Sequence, residues 1–225
     1  MNKGSDKDTS KLLTKITAVV LGLPWIEIIS DAYQLGRKII RGLANEGMYE
    51  ILEFESTLTI HDEKGTKATL EKRMKVKYLQ DEIIAFQDHG WGEGKALKNY
   101  QATPGVPVDQ YKVGYKTYVL ISLREVKSKG DIDEFNISWD LENGFKKTDE
   151  SWETEISTRM QKVKVSVIFP QGRKPHGGRL LKGNIRRSAP LDNSAIRKLP
   201  DGNWKMSWSK NKPRLFERYI LKWVW

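Results

Sequence analysis

Beyond Gly47 the side chains alternate between apolar and polar, and this period of two restricts the fold more than any other feature of the chain. Leu52, Phe54, Leu58 and Ile60 share one parity, whereas Glu53, Glu55, Thr57 and Thr59 share the other. His61-Asp62-Glu63-Lys64-Gly65 reads as a turn. The next run sets Ala68, Leu70, Met74, Val76 and Tyr78 against Lys67, Thr69, Glu71, Arg73, Lys75 and Lys77. Successive side chains of a strand point to opposite faces, so the pattern predicts a long hairpin with one wet face.

The same reading continues to the last residue. It predicts a short strand at 83–87, a doubly buried central strand at 115–126, and strands at 132–141, 152–159, 162–169, 204–208 and 219–225. Asn143-Gly144 signals a hairpin turn. Two stretches, 88–110 and 171–198, are rich in glycine and proline and read as long loops. The expectation is a mainly β fold at 47–225, an antiparallel β-sandwich or barrel of about eight or nine strands. The alternating close RYILKWVW is similar to that of many bacterial β-sandwich modules, a likeness of fold that carries no catalytic residue.

Residues 1–46 have a different period. Leu12, Leu13, Ile16, Val19 and Val20 recur at helical spacing, and Pro24 suits the first turn of a second helix. In that helix Trp25, Ile28, Ile29, Ala32, Ile39, Ile40 and Leu43 form one stripe. The segment reads as a helical N-terminal arm. Its apolar run at 16–26 falls well short of the roughly 20 residues that a transmembrane helix needs, and it is not read as a signal peptide. The arm either packs on the sheet of its own chain or docks on a partner subunit or membrane surface through Trp25, Ile29, Arg37, Lys38 and Arg41.

Chemistry is narrowed mainly by exclusion. The chain has no cysteine, which removes disulfides, thiolate metal sites and thiol nucleophiles and suits the reducing cytoplasm. Gly90-Trp91-Gly92-Glu93-Gly94-Lys95 invites a phosphate-loop reading. His89 stands where that motif needs its first glycine, and Ala96 stands where it needs a hydroxyl for magnesium. The three histidines, His61, His89 and His176, are isolated from one another, so no metal-ligand spacing emerges and no metal or cofactor is expected. No nucleophile motif is present, and the chain reads as non-enzymatic. A deep pocket uniting Asp88, His89 and a second carboxylate would reopen the enzyme reading.

Charge supplies the positive signal. There are 39 basic and 29 acidic residues, a formal net charge of +10, which favours anionic partners. The stretch 171–198 carries Arg173, Lys174, Arg179, Lys182, Arg186, Arg187, Arg197 and Lys198 against Asp192 alone. The sequence therefore suggests a binding or sensor module for an anionic ligand, a nucleotide or nucleic acid. Arg173, Lys174, Arg179, Lys182, Arg186 and Arg187 would hold it beside Trp91 and Lys95. Most tryptophans of the C-terminal half share the parity of their aliphatic neighbours and read as core, with Trp91 in the loop and the terminal Trp225 as the exceptions.

Overall fold

The computed structural model describes residues 47–91, 97–182 and 187–225. The expected helical arm, with Trp25, Ile29, Arg37, Lys38 and Arg41, lies outside the described residues, as do Lys95 and Arg186. Tyr49–Trp225 forms one compact unit. Its elements in chain order are β1 (Tyr49–Ile60), β2 (Lys67–Tyr78), β3 (Ile83–Gly90), β4 (Lys98–Thr103), β5 (Val106–Val113), β6 (Lys116–Lys127), β7 (Ile132–Glu142), β8 (Asp149–Glu155), β9 (Lys162–Phe169), β10 (Gly178–Lys182), β11 (Arg187–Pro190), a 3-10 turn (Asn193–Ala195), β12 (Ile196–Lys198), β13 (Trp204–Asn211) and β14 (Arg218–Val224).

The mainly β reading holds, with the strands divided among three open sheets rather than closed into a barrel. The largest has seven strands in the order β12-β13-β9-β1-β2-β7-β4. A second runs β11-β10-β14-β8, and a third β3-β6-β5. Within the named strands every pairing is antiparallel except that of β1 with β9.

Register explains where the core lies. Phe54, Met74 and Phe135 stand side by side across β1, β2 and β7, and so do Leu58, Leu70 and Trp139. Val163 and Val167 of β9 extend the same two rows. These side chains are buried. Removing each from water contributes about 1.5–3 kcal/mol, so this single face supplies a large part of the driving force. The opposite face carries Glu55, Thr57, Lys164, Ser166, Arg73 and Asn136 and is polar.

The structure departs from the sequence reading in four places. A register shift between Ile51 and Glu53 turns Ile51 into the core and leaves Leu52 half-buried. The stretch 88–110 is not one loop, because it contains the end of β3 and the strands β4 and β5. β5 hides no consistent parity from solvent, and β4 alternates only over its last four residues, Tyr100 to Thr103, after left-handed Leu97 and Asn99. Likewise 171–198 holds β10, β11 and β12, each of five residues or fewer. Finally, Asn143-Gly144 is a turn but not a hairpin: β7 pairs with β2 and β4, whereas β8 pairs with β14. The chain at this turn bonds back to the β1–β2 connection, Asn143 N–H to Thr66 O at 2.7 Å and Phe145 N–H to Gly65 O at 3.1 Å. Gly65 is needed there, because a Cβ would stand 1.7 Å from Phe145 O and its φ is +66°.

Candidate ligand cleft

β2 has one member that breaks its apolar parity. Ala68, Leu70, Met74, Val76 and Tyr78 face the core, and Lys72 sits in line with them. Its cross-strand neighbours are Ser56 on β1 and Ile137 on β7. Lys72 is 9% exposed and Asp88 3%. The Lys72 ammonium donates to Asp88 Oδ1 at 2.8 Å and to His89 O at 2.6 Å, and it lies 4.7 Å from the ring centre of Trp139. Tyr100 Oη donates to the other carboxylate oxygen, Asp88 Oδ2, at 3.0 Å. The ion pair is thus hydrogen-bonded on both sides, the condition under which a buried pair is tolerated. Burial, followed by the Asp88 charge, pushes the Tyr100 phenol far above its usual range, so it stays a donor.

This cluster ties the edge of one sheet to the face of another. Among the described residues β3 pairs only with β6. Its outward carbonyls are met by side chains, Gln87 O by Tyr49 Oη at 3.4 Å and His89 O by Lys72. Gly90 then lets β3 press on the large sheet, since a Cβ there would stand 2.8 Å from Leu97 and 3.0 Å from Trp139.

His89 follows Asp88 on an extended strand and points the other way. Its ring lies 5.7 Å from that of Trp91 and 5.6 Å from that of Tyr118. Burial, then the charge of Lys72, lowers its pKa to about 4, so the ring is neutral at physiological pH. Lys116 on β6 pairs with Glu155 on β8 at 2.8 Å, bridging the three- and four-stranded sheets. Tyr115, 65% exposed, reaches the same Glu155 at 3.5 Å.

Between these elements opens a narrow cleft of about 60 Å³. Phe54, Leu70, Met74 and Trp139 form the floor, Gln87 to Trp91 one wall, and Trp152 to Glu155 the other. Trp139 is 2% exposed, and its Nε1–H has no hydrogen-bond partner among the described residues. The β8 wall also has a free side. Ile156 donates to Glu217 O and accepts from Phe216 N–H, so its backbone turns toward the β14 chain. Alternation then directs the backbone groups of Glu153 and Glu155 away from β14, and no described strand pairs there.

Asp88, His89, Glu153 and Glu155 therefore do line one cleft. They do not form a catalytic dyad, because Asp88 and His89 lie on opposite faces of β3 and each carboxylate has a cationic partner. Among the described residues no group of three or more metal-ligating side chains stands together. Of the cleft residues, sequence reading had singled out Trp91 alone for the ligand site. Lys72 could have been found as the charged residue in an apolar parity, and Ser56 as the polar one between Phe54 and Leu58.

The basic residues named from sequence fall elsewhere. Arg173 stacks on Trp225 at 3.5 Å and donates to Glu63 O at 2.6 Å. Lys174 lies 4.5 Å and Lys198 5.9 Å from the ring centre of Trp204. Trp204 stands opposite Phe169 in the β13–β9 register, and Trp225 packs on Phe169 at 5.6 Å, so these cations gather around one aromatic cluster. Arg179 donates to Ser188 Oγ at 2.8 Å, and Lys182 stands opposite Arg187 in the β10–β11 pair. Trp91 packs instead on His89, Tyr115 and Lys116.

No family model matches the chain, and no curated protein matches it in sequence. Solved structures similar to it include an M1 zinc metallopeptidase from Deinococcus radiodurans, at 8% identity and a TM-score of 0.47, covering 78% of this chain and 42% of that one. Another is a protease candidate from Parabacteroides distasonis, at 11% identity and a TM-score of 0.43, covering 79% of this chain and 40% of that one. The chain spans less than half the length of these structures. So distant a likeness leaves the site to its own geometry.

Proposed function

We propose that Tyr49–Trp225 is a non-enzymatic binding module that takes an extended peptide segment in the cleft between β3 and β8. One observation carries the reading: β8 offers the unpaired backbone of Glu153 and Glu155 beside an aromatic cleft. A peptide strand added there gains main-chain hydrogen bonds from β8, and every second side chain drops into the cleft. Trp139 Nε1–H supplies a further donor. The absence of cysteine supports a cytoplasmic site of action.

The test is selection of binders from a random peptide display library, followed by Glu153→Pro. Proline at 153 removes a donor on the free side and spares the backbone bonds to β14, and Glu153→Gln controls for the lost ion pair with Arg218. Selected peptides should bind the parent protein and lose about tenfold or more in affinity to the variant, with the β spectrum unchanged. Peptides that bind both proteins equally would refute the reading.

A second reading, recognition of an anionic group, is favoured by the gathering of Arg173, Lys174 and Lys198 on Trp225 and Trp204. Nucleotide titration of Arg173→Gln/Lys174→Gln tests it. Unchanged binding counts against this site.

A further inference from the structure

The outer, polar face of the seven-stranded sheet holds an arrangement that neither the cleft nor the aromatic cluster uses. On β9, Lys164, Ser166 and Ile168 point to this face, opposite in parity to buried Val163, Val165 and Val167. Register sets Ser166 between Thr57 of β1 and Ser207 of β13, three hydroxyls in a row across three strands. Lys164 lies one pleat to one side of that row. On the other side Lys205 stands opposite Ile168, and Arg197 of β12 stands opposite Lys205.

Two features of this grid are unresolved within the protein. First, positive charge is in excess. Lys164, Lys205 and Arg73 all act on the same carboxylate, Glu55, with which Lys164 forms a hydrogen-bonded ion pair. The Lys205 ammonium is held below its usual pKa by burial first, then by Lys164 and Arg197, with Glu55 opposing. Second, Ser166 is 1% exposed and its hydroxyl has no hydrogen-bond partner among the described residues. A buried hydroxyl without a partner is destabilising, and an acceptor placed above it would offset that cost. Glu55 and Lys164 also border a hollow on the same face, to one side of the hydroxyl row, which Glu53, Arg73, Lys75 and Glu134 line as well.

We propose that Lys164, Lys205 and Arg197, above the hydroxyl row Thr57–Ser166–Ser207, form a binding site for a tetrahedral oxyanion of the phosphate or sulfate class. The anion relieves the repulsion among the three cations, accepts from the Ser166 hydroxyl, and competes with Glu55 for Lys164 and Lys205. Reaching Ser166 requires the flexible ends of the two lysines to part, a motion that long side chains make readily. The site goes beyond the peptide reading of the cleft and is separate from the Trp204–Trp225 cluster.

The experiment is a titration of isotope-labelled full-length protein with inorganic phosphate, and separately with sulfate, followed by amide and indole resonances. Saturable shifts at Ser166 and Ser207 are expected. Lys205→Gln should weaken binding about tenfold, the loss of one charge-assisted contact, and Lys205→Arg should restore most of it. Glu55→Gln should tighten binding by removing the competing carboxylate. Ser166→Ala should weaken binding severalfold without lowering Tm, since it deletes a hydroxyl that had no partner. Response to phosphate but not sulfate, or the reverse, identifies the anion and supports the site. Shifts confined to the indoles of Trp204 and Trp225, binding unchanged in Lys205→Gln, or linear non-saturating shifts would each overturn it.

Discussion

Lys72 and Arg173 each place a cation on an indole ring, at 4.7 Å from the centre of Trp139 and 3.5 Å from that of Trp225. Lys72 does so inside the protein, with Asp88 as its counter-charge and the edge of β3 as its second acceptor. Arg173 does so on the surface, where its other partners are the backbone carbonyls of Glu63 and Lys147. The buried cation has given up its hydration, so it depends on every partner it has. The surface cation keeps water as an alternative partner and acts as a clip. The difference teaches that ring geometry alone does not set the importance of a cation–π contact. The environment of the charge does.

Substitutions can break this contrast. The largest effect is expected for Lys72→Met, which leaves Asp88 buried without its cation and should cost about 3–5 kcal/mol in urea unfolding. Adding Asp88→Leu should recover much of that loss, because a pair replaced as a unit by apolar groups is often nearly neutral. A small cost for Lys72→Met alone would show that water reaches Asp88 and that the two cations are alike after all.

Acid titration sharpens the contrast next. His89 has a folded-state pKa of about 4 against 6.5 for the free group. In that window the unfolded chain binds a proton that the folded protein does not. Stability should therefore fall as pH drops from about 6.5 toward 4, and His89→Gln should flatten that part of the profile. Unfolding midpoints measured across this range in parent, His89→Gln and Arg173→Met proteins check it. Arg173→Met should keep the slope of the parent, since an arginine carries its charge throughout.

The smallest effect is expected for Arg173→Met at constant pH. It should cost about 1 kcal/mol, the scale of an exposed cation–π contact with its hydrogen bonds. A loss as large as that from Lys72→Met would erase the distinction between clip and core.

These residues also show what was legible in the chain. The hairpin β1–β2, the strand β9 and the C-terminal strand could be read because their faces meet two different environments, and Val163, Val165, Val167 and Phe169 alternate accordingly. β5 could not be read, because neither parity of its residues is buried and composition then follows solvent rather than pleat. The partner of β8 was illegible because pairing with β14 joins residues about seventy positions apart, whereas Asn143-Gly144 advertises only a local turn. The cleft was missed for a related reason. Lys72 meets Asp88, a residue of another sheet that Tyr100 also bonds, so only its break in parity was visible from within β2. The basic segment was legible as charge but not as geometry: among the described residues Arg173, Lys174 and Lys198 join the Phe169 cluster, Arg179, Lys182 and Arg187 belong to the β10–β11 ribbon, and Arg197 stands on β12.

The parallel contact of β1 with β9 has a consequence for the order in which the molecule is made. β1 finds β2 as soon as a few more residues have left the ribosome, but its other flank must wait for a strand about a hundred positions downstream. Until then a long apolar ribbon stands with one border open, a template on which a second nascent chain could align. The threonines and glutamates on its outer face, and the lysine seated in its neighbour's inner face, make that ribbon a poorer mould for strangers than its aliphatic residues alone would be.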